Sequence, residues 1–414
     1  MKIGLYVDYS NMKAGGIFTY SVGVLKLLIS MNEVEEIYLI YPRDQEEGLK
    51  PFLSESKINP VAVDRKRFSF KYLSILSFFF HTTFYVYQTY FQKYFPNFKR
   101  LHLLRNFAVR LNPYRRVIDS LKIDLLHVPF KVSPVYGIST PVITTMHDVQ
   151  EMHFPEFFTS QERIDRSITY KIAADESDHI VVSFDHVKND IVKYFHVPPE
   201  KVSVCRLPLS DSWFVNDKFT PIEELIKKYG IEKDFILYPA ATWQHKNHMT
   251  LLKAAALLKK QNTHIFLVCT GNKNEFYKKI EEEIENLDLS NSVKFLGVVP
   301  EEDLIGLYKS TLLTVIPTLY EAGSGPLFEA MRYGSPVICS NVTSLPETIG
   351  NTEYTFDPLN ADDIVNKIQM GIKNEQYFKA NLENSKARMF YFSTYNSSSD
   401  FLSLYKKVGI DNRL

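Results

Sequence analysis

The 414-residue sequence predicts an α/β protein made of two doubly wound domains. Short apolar runs rich in β-branched residues alternate with amphipathic helical patterns in the first half, and the same alternation restarts in the second half. Such alternation is typical of parallel sheets with helices on both faces. We therefore expect one domain at residues 1–208 and another at 209–391, facing a ligand cleft at the carboxyl ends of their strands.

The strands of both predicted domains are apolar runs bounded by turn residues. In the first domain they lie at 2–9, 35–42, 124–130, 141–149 and 177–182. In the second domain they lie at 234–240, 263–271, 292–299, 311–317 and 336–340. Helical patterns stand between them, for example at 17–31 and 245–260, and the chain closes on helical patterns at 362–372 and 395–409. The link between the domains is expected just before or within the turn-rich stretch 208–221.

The composition excludes several classes of function. The formal net charge is zero, so nothing indicates a nucleic-acid partner. Three cysteines, Cys205, Cys269 and Cys339, are far apart without a CxxC motif, which suits a reducing compartment and argues against disulfides or a zinc site. The first residues predict a strand entering a glycine turn and lack the sustained apolar core of a signal peptide.

The stretch 311–340 predicts a strand, a glycine-rich loop, a helix and a strand. Pro326 suits the first turn of the helix, whose free N–H groups and dipole favour an anion such as phosphate. Glu321 in the loop and Glu329 one turn into the helix are placed to accept hydrogen bonds from sugar or ribose hydroxyls. The alternative is a solvated Glu321 and a Glu329 that only favours the helix dipole.

Two further residues follow strands of the predicted sheets. Lys246 stands between a strand and the start of a helix, where an ammonium suits a phosphate group, or else it is a solvated lysine. His147 comes just after a first-domain strand, where it is placed to exchange a hydrogen bond with a reacting hydroxyl. The alternative there is a turn in which Asp148 caps the next segment.

Gly15 and Gly16 follow the first strand and would let a ligand approach the backbone. The chain has no GxGxxG motif for a nicotinamide dinucleotide, no DxD motif for a metal-bound diphosphate, and neither a Walker A nor a GxSxG motif.

One segment, residues 65–116, interrupts the alternation. It holds eleven Lys or Arg residues, no Asp or Glu, and sixteen Phe or Tyr residues. Its uncharged stretch 72–92 is long enough to span a bilayer, but polar residues occur throughout it and it interrupts a folded domain. We expect a basic, aromatic helical hairpin lying on a membrane surface. The alternative is an insertion that packs its aromatic side chains into its own domain.

Together these motifs resemble the retaining glycosyltransferases of the GT-B fold, specifically glycosyltransferase family 4. The likeness covers nearly the whole chain. Its most specific part is the E-x7-E pattern of Glu321 and Glu329, joined by "GGIFTY", "HKN", "FLGVVPEEDLIGLYKSTLLTVIPT" and "SLPETIG" in the family's order. The resemblance implies two Rossmann-like domains facing a cleft, the first for the acceptor and the second for the nucleotide sugar. The C-terminal helix at about 392–414 is then expected to pack back on the first domain.

The resemblance also assigns roles to individual residues. Glu329 would bind the ribose hydroxyls and Glu321 the hydroxyls of the donor sugar. Lys246 would neutralise the leaving diphosphate, and His147 would lie by the anomeric carbon and the acceptor. The remaining donor contacts, mostly through the backbone, would come from Gly16, Val298, Ala322, Gly323, Ser324, Gly325 and Leu327. Nothing in the family pattern calls for a metal or another cofactor.

The sequence departs from the family pattern at two places. Ala240 and Ala241 stand where the family often has a Gly-Arg pair, so either Lys246 acts alone with the helix N–H groups or an arginine from elsewhere contributes. The loop reads "AGSGP" where the family often has "GFGLP". The stretches "TWQHKNH" and "HDVQEMHFPE" are similar to a subset that includes many mannosyltransferases, which favours GDP-mannose as donor.

The expected function is transfer of a hexose from a nucleoside diphosphate sugar to a lipid-linked glycan or polysaccharide, with retention at the anomeric carbon. The expected place is the cytoplasmic face of the cell membrane, in the synthesis of capsule, lipopolysaccharide or a similar surface glycan. The alternatives are a membrane-bound scaffold with a residual nucleotide pocket and a hydrolase or epimerase of nucleotide sugars.

Overall fold

A computed structural model describes residues 1–8, 16–95, 101–130, 134–207 and 217–409. It divides the chain into two compact units, which we call the first unit, Met1–Leu207 with Asn396–Leu414, and the second unit, Pro208–Tyr395. Gly15, the middle of the predicted insertion, most of the predicted link and the last five residues lie outside the described part.

The first unit is built on a parallel sheet. Its strands are β1 Lys2–Tyr6, β2 Glu36–Pro42, β3 Ile58–Val63, β4 Leu125–Val128, β5 Val142–Thr145, β6 His179–Val182 and β7 Val202–Val204. Their order in the sheet is β3-β2-β1-β4-β5-β6-β7, with Ile3 of β1 paired to Ile37 of β2 and to Leu125 of β4. The helices are α1 Gly16–Ser30, α2 Glu46–Leu53, α3 Phe68–Val86, α4 His102–Leu111, α5 Pro113–Leu121, α6 Gln150–His153, α7 Ser160–Glu176 and α8 Asp185–Phe195.

The second unit repeats this plan. Its strands are β8 Phe235–Pro239, β9 Phe266–Thr270, β10 Val293–Phe295, β11 Leu313–Ile316, β12 Val337–Ser340 and β13 Thr355–Phe356, in the parallel order β10-β9-β8-β11-β12-β13. The helices are α9 Ile222–Tyr229, α10 His248–Lys260, α11 Tyr277–Asn286, α12 Glu301–Ser310, α13 Gly325–Arg332, α14 Leu345–Ile349, α15 Ala361–Lys373 and α16 Glu375–Thr394. Two doubly wound α/β units are therefore observed, as the sequence predicted.

Each sheet has one place where the strand order reverses. In the second unit the chain runs outward from β8 through β9 to β10 and then returns to β11 on the other side of β8. Loops that leave the carboxyl ends of β8 and β11 therefore diverge and open a crevice, which is where open α/β sheets bind ligands. Lys246 follows β8 and Glu321 follows β11, so both candidate residues lie at this crevice.

The last described helix, α17 Ser397–Gly409, belongs to the first unit. It packs on β4, where the ring of the buried His127 lies 2.8 Å from the Tyr405 hydroxyl oxygen and 2.9 Å from that of Thr145. Burial lowers the pKa of His127 to about 3, so the ring is neutral and both contacts are ordinary hydrogen bonds. Phe401 and Val408 of α17 are also fully buried in this core.

The predicted helical hairpin is present. Its first helix, α3, turns polar side chains towards the protein and apolar side chains towards the outside. α3, which continues as a π-helical turn Tyr87–Phe91, packs against α4. Its buried face carries Ser77, His81 and Tyr85. Ser77 donates to the Ala108 carbonyl oxygen of α4 at 2.7 Å. The outward face is apolar, with 43–61% of each residue exposed, and consists of Tyr72, Ile75, Leu76, Phe78 and Phe79.

This polarity is the reverse of that of an ordinary surface helix, whose apolar stripe faces the core. The alternative in which the aromatic side chains pack into their own domain is wrong for this outward face of α3. No helix in the described part of the chain is long and apolar enough to cross a bilayer.

A buried carboxylate at the end of α7 fastens the hairpin to that helix. Glu176, at the end of α7, accepts hydrogen bonds from Tyr85 at 2.9 Å and from Arg105 at 2.8 Å, and it lies 3.1 Å from the ring of His81. Burial alone would raise the pKa of Glu176, but the hydrogen bonds from His81 and Arg105 and the charge of Arg105 outweigh it and hold the pKa at about 2. At neutral pH the carboxylate is therefore charged, and the guanidinium of Arg105 balances its charge.

Three strands were not predicted from the sequence, namely β3, β7 and β13. All three are edge strands of their sheets. β3 contains Pro60, which weakened its strand pattern and which edge strands tolerate.

Candidate active site

The stretch around the two glutamates folds as predicted. β11 is followed by a loop and by α13, which begins at Gly325 with Pro326 in its first turn. Gly323 has φ 141°, a conformation that favours glycine, and Gly334 with φ 73° follows the helix. The first N–H groups of α13 therefore face the crevice without helical partners.

Lys246 and Glu321 form an ion pair at this crevice. Both side chains are largely buried, with 17% of the lysine and 10% of the glutamate exposed. The alternative of a solvated Glu321 or Lys246 is therefore wrong. The pair joins the loop after β8 to the loop after β11, so the two charges are held beside the start of α13.

The backbone around Lys246 differs from the prediction. Lys246 ends a 3-10 turn, Gln244–Lys246, and does not open α10. Asn247 separates the two with φ 60°, and its side-chain amide donates to the carbonyl oxygens of Pro317 and Pro358 at 2.8 Å each. These bonds fix a left-handed residue at which the helical pattern breaks. They also tie the lysine loop to the loop that carries Glu321.

The backbone of Glu321 is held by the loop that follows β12. Its N–H donates to the Thr343 hydroxyl oxygen at 3.0 Å, and its carbonyl oxygen accepts from the Ser344 hydroxyl at 2.9 Å. The carboxylate is therefore positioned by contacts that leave its own oxygens available to Lys246 and to a ligand.

Glu329 is half-buried, and its carboxylate accepts a hydrogen bond from the Tyr308 hydroxyl at 2.8 Å. Burial raises the pKa of Glu329, and the bond from Tyr308 offsets part of that rise. A carboxylate in such surroundings gains from further hydrogen-bond donors, such as the hydroxyls of a ribose.

The loop between the two glutamates offers a ligand its backbone groups and one hydroxyl that has no hydrogen-bond partner in the described residues. Gly323 and Gly325 are exposed, Ala322 is half-buried, and the side chain of Leu327 lies in the core, so Leu327 offers only its N–H group. Within the described residues, the buried hydroxyl of Ser324 has no hydrogen-bond partner. A buried polar atom of this kind fits a ligand that supplies the missing bond.

Val298 lies in the loop after β10 and is 77% exposed. The preceding Gly297 has φ 74°, and its carbonyl oxygen accepts from the N–H of Gly271 at 2.8 Å. The loops after β9 and β10 are thus joined at the same sheet edge as Lys246. An exposed apolar residue at this edge suits contact with a flat ring such as a base.

The first-unit candidates also lie at the carboxyl edge of their sheet. A ring nitrogen of His147 is 3.0 Å from the Pro129 carbonyl oxygen beyond β4, and Tyr20 of α1 packs edge-on against the ring at 4.7 Å. Gly16 is exposed at the first position of α1, and a Cβ there would meet open space. The structure thus places these two residues in one unit and the other candidates in the other.

Val149, and not Asp148, is the N-cap residue of α6. The Asp148 carboxylate accepts instead from Tyr170 at 2.8 Å and from Arg166 at 2.9 Å. This network holds the loop that carries His147.

Sequence reasoning assigned no roles to four residues that support the site: Asn247, Tyr308, Thr343 and Ser344. Asn247 and Ser344 lie in the stretches "HKN" and "SLPETIG" that carried the resemblance. Tyr308 lies in the quoted stretch "FLGVVPEEDLIGLYKSTLLTVIPT", so Thr343 alone of these four falls outside the motifs that carried the resemblance. In the described part of the chain, no three His, Cys, Asp or Glu side chains are grouped as metal ligands.

Family models match both halves of the chain. The model described as "Glycosyl transferases group 1" matches residues 221–388, and the one described as "Glycosyltransferase Family 4" matches residues 76–208. The first match contains Lys246 and both glutamates, and the second contains His147.

Characterised relatives share about a quarter of the aligned residues. The O-antigen chain mannosyltransferase B of Escherichia coli is 27% identical over 268 residues, which cover 64% of this chain and 70% of that protein. The serotype-specific mannosyltransferase WbdA of Escherichia coli is 27% identical over 277 residues, covering 66% of this chain but only 33% of that longer protein.

Among solved structures, Anabaena HepE in complex with UDP and glucose superposes with a TM-score of 0.64 at 15% sequence identity, covering 98% of this chain and 100% of that chain. At this identity the likeness shows the two-unit fold.

Proposed function

The chain is a glycosyltransferase of family 4 with the GT-B fold, and from that premise we propose that it moves a hexose from a nucleoside diphosphate sugar to a hydroxyl of a lipid-linked glycan or polysaccharide. The observation that carries the proposal is the buried pair of Lys246 and Glu321 beside the start of α13. A cation, a carboxylate and free N–H groups at one crevice suit a ligand that is a phosphate ester at one end and a polyol at the other.

In this proposal each group meets a different part of the donor. The Lys246 ammonium and the N–H groups of Gly323, Gly325 and Leu327 bind the diphosphate. Glu321 accepts from hydroxyls of the sugar, and Glu329 accepts from those of the ribose. Val298 and Gly16 contact the base and the phosphates, and Ala322 and Ser324 line the sugar pocket.

The proposed chemistry is substitution at the anomeric carbon with retention of configuration. The bond from that carbon to the diphosphate oxygen breaks, and a bond to the acceptor oxygen forms on the same face. The acceptor proton passes to the leaving phosphate, and His147 orients the reacting hydroxyl. Negative charge grows on the diphosphate, so the preorganised ammonium and N–H groups stabilise the transition state more than the bound donor. The mechanism uses no metal ion or other cofactor.

The donor we propose is GDP-mannose. Support comes from the mannosyltransferases among the relatives and from the "TWQHKNH" stretch around Lys246. By the same comparison the product belongs to O-antigen or a similar cell-surface glycan, such as lipopolysaccharide or capsule.

We place the enzyme on the cytoplasmic face of the membrane, held by the α3–α4 hairpin. The outward aromatic face of α3 supports this, because an apolar face gains free energy only by contact with another apolar phase. Lys66, Arg67 and Lys71 are exposed at the start of α3 and would meet anionic lipid head groups. Arg65 does not share that role, because its guanidinium binds Asp8 at 2.8 and 3.2 Å.

The test is a thermal-shift panel of GDP-, UDP- and dTDP-sugars on wild type and on Glu329→Ala. A ligand at 100 times its dissociation constant stabilises the folded protein by about 2.7 kcal/mol. We expect GDP-mannose to raise the melting temperature of the wild type by a few degrees and to leave the variant unchanged.

The decisive follow-up is turnover with and without an acceptor glycan. Release of GDP that depends on the acceptor supports the transferase. Equal release without acceptor would indicate a hydrolase, and donor binding without any turnover would indicate a scaffold.

A further inference from the structure

The first unit contains a cavity of about 380 Å³. Tyr90 from the π-helical turn after α3, Met152 from α6, and Arg163 and Ile164 from α7 line it. Its volume lies in the range of small-molecule sites, roughly 300–1,000 Å³. Of the described residues that line it, none is assigned to the sugar donor.

The cavity combines an apolar wall with one cation. Tyr90, Met152 and Ile164 supply the apolar surface. In the part of the chain that the structure describes, the Arg163 guanidinium has no carboxylate partner and donates to the Ser160 hydroxyl oxygen at 3.3 Å. The carboxylate of Glu151 also lines the cavity and accepts a hydrogen bond from Arg166 at 2.8 Å; Arg166 also binds Asp148 at 2.9 Å, so these two carboxylates share its charge.

Through Tyr90 the apolar wall reaches the π-helical turn that extends α3. Tyr90 is 39% exposed and Phe91 is 48% exposed, and both belong to the turn that extends α3. A molecule with a long hydrocarbon chain can therefore lie along this aromatic surface while its polar end reaches Arg163. Arginine binds a phosphate group through two parallel N–H donors, so an anionic phosphate fits this position.

We propose that this cavity binds the phosphate group, and the adjoining part of the hydrocarbon chain, of the lipid that carries the acceptor glycan. The assignment rests on the proposed function, in which the acceptor is lipid-linked. The cavity would then hold the lipid end of the acceptor while the glycan end extends to the transfer site, and recognition would depend on the phosphate and the chain together.

The test uses dodecyl phosphate, dodecanol and inorganic phosphate as probes, with the full chain in detergent-free buffer below the micelle concentration. Titration calorimetry should show that dodecyl phosphate binds more tightly than either partial probe. Arg163→Gln should weaken binding about tenfold, since it removes a charge-assisted hydrogen bond. Arg116→Gln is the matched control, because Arg116 is exposed on α5 and its loss changes the net charge equally. It should bind as the wild type does.

Equal weakening in both arginine variants would overturn the proposal, because net charge would then explain the binding. Displacement of dodecyl phosphate by a short-chain phosphatidylglycerol of equal or higher affinity would also overturn it, since the cavity would then accept bulk phospholipid. The donor-induced thermal shift, measured on the same samples, reports on the proposed function separately. Loss of that shift with probe binding intact would contradict the transferase assignment and leave the cavity as a lipid phosphate site.

Discussion

The ammonium of Lys246 is neutralised by the carboxylate of Glu321, across the crevice where the strand order of the second sheet reverses. A lysine that binds phosphate must therefore share its charge with a glutamate before the donor arrives. The two residues have opposite effects on a diphosphate, and this gives a test that separates binding from turnover.

We expect Glu321→Gln to bind free GDP roughly three- to tenfold more tightly than the wild type, because removal of a partly buried ion pair leaves the lysine charge to the phosphates. Turnover should fall by about 10² if the carboxylate holds the sugar in the transition state. Calorimetry with GDP and initial rates with GDP-mannose measure the two effects. Weaker GDP binding together with unchanged turnover would show that Glu321 does neither job.

For Glu329→Gln we expect donor affinity to fall by about tenfold or more, because hydrogen bonds to a charged acceptor are worth about 1.5–3 kcal/mol. The free energy of unfolding at pH 7, in contrast, should increase. Burial raises the pKa of the Glu329 carboxyl in the folded protein. The free energy of unfolding of the wild type therefore rises as the pH falls from that raised pKa to the ordinary value. At neutral pH the charged carboxylate lowers the stability of the wild type.

The amide of Glu329→Gln carries no such cost. Urea denaturation at pH 7 should therefore give a higher free energy of unfolding for the variant than for the wild type. This difference in the free energy of unfolding should become smaller as the pH is lowered. A variant that is less stable at every pH, yet binds donor normally, would contradict both parts.

Glu176→Gln should lower the free energy of unfolding at pH 7 by about 3 kcal/mol, because it breaks a buried ion pair and leaves Arg105 without its carboxylate. The contribution of this carboxylate is present above its ordinary pKa and is lost as the pH falls towards about 2, the pKa in the folded protein. Hydrogen exchange should show the earliest opening in α3.

Asp175→Asn is the control for that experiment, since Asp175 pairs with Lys171 on the exposed side of the same helix. Its effect should stay within about 0.5 kcal/mol. Equal losses in both variants would mean that the hairpin is not fastened through Glu176.

The pair of changes Phe78→Ser and Phe79→Ser should weaken binding to vesicles that contain anionic lipid, by about tenfold or more, without loss of stability. The reason is that both side chains are exposed, at 57% and 61%, and make few contacts for the fold to lose. Vesicle co-sedimentation measures the binding, and Phe390→Ser, at a residue 71% exposed in the second unit, is the control. If both proteins bind vesicles as the wild type does, the aromatic face has another partner.

The sequence was sufficient for the central strands because they are buried on both faces, which makes them continuous apolar runs. It failed at β3, β7 and β13, which are short or lie at edges where burial is incomplete and the pattern is weak. Within the site, spacing placed Glu321 and Glu329 on either side of a glycine loop. It could not show the ion pair with Lys246, since Asn247 breaks the helical pattern through contacts to Pro317 and Pro358, which are distant in sequence.

The sequence also could not predict which face of α3 points towards the protein. Its aromatic side chains and its basic flanks are visible in the sequence, but the sequence does not show that Ser77, His81 and Tyr85 face inward. That orientation depends on partners such as Glu176, which lies far along the chain.

The return of the chain to the first unit at α17 sets the order in which the protein can be completed during synthesis. Phe401, Tyr405 and Val408 fill the first core, yet they leave the ribosome only after the whole of Pro208–Tyr395 has been made. At 5–20 residues per second this is a delay of roughly 10–40 s. The second unit can finish folding in that interval, while the first waits with an open apolar face over β4. A ribosome-associated chaperone that shields apolar surface would therefore meet this chain first at the face of β4, around His127, that α17 later covers.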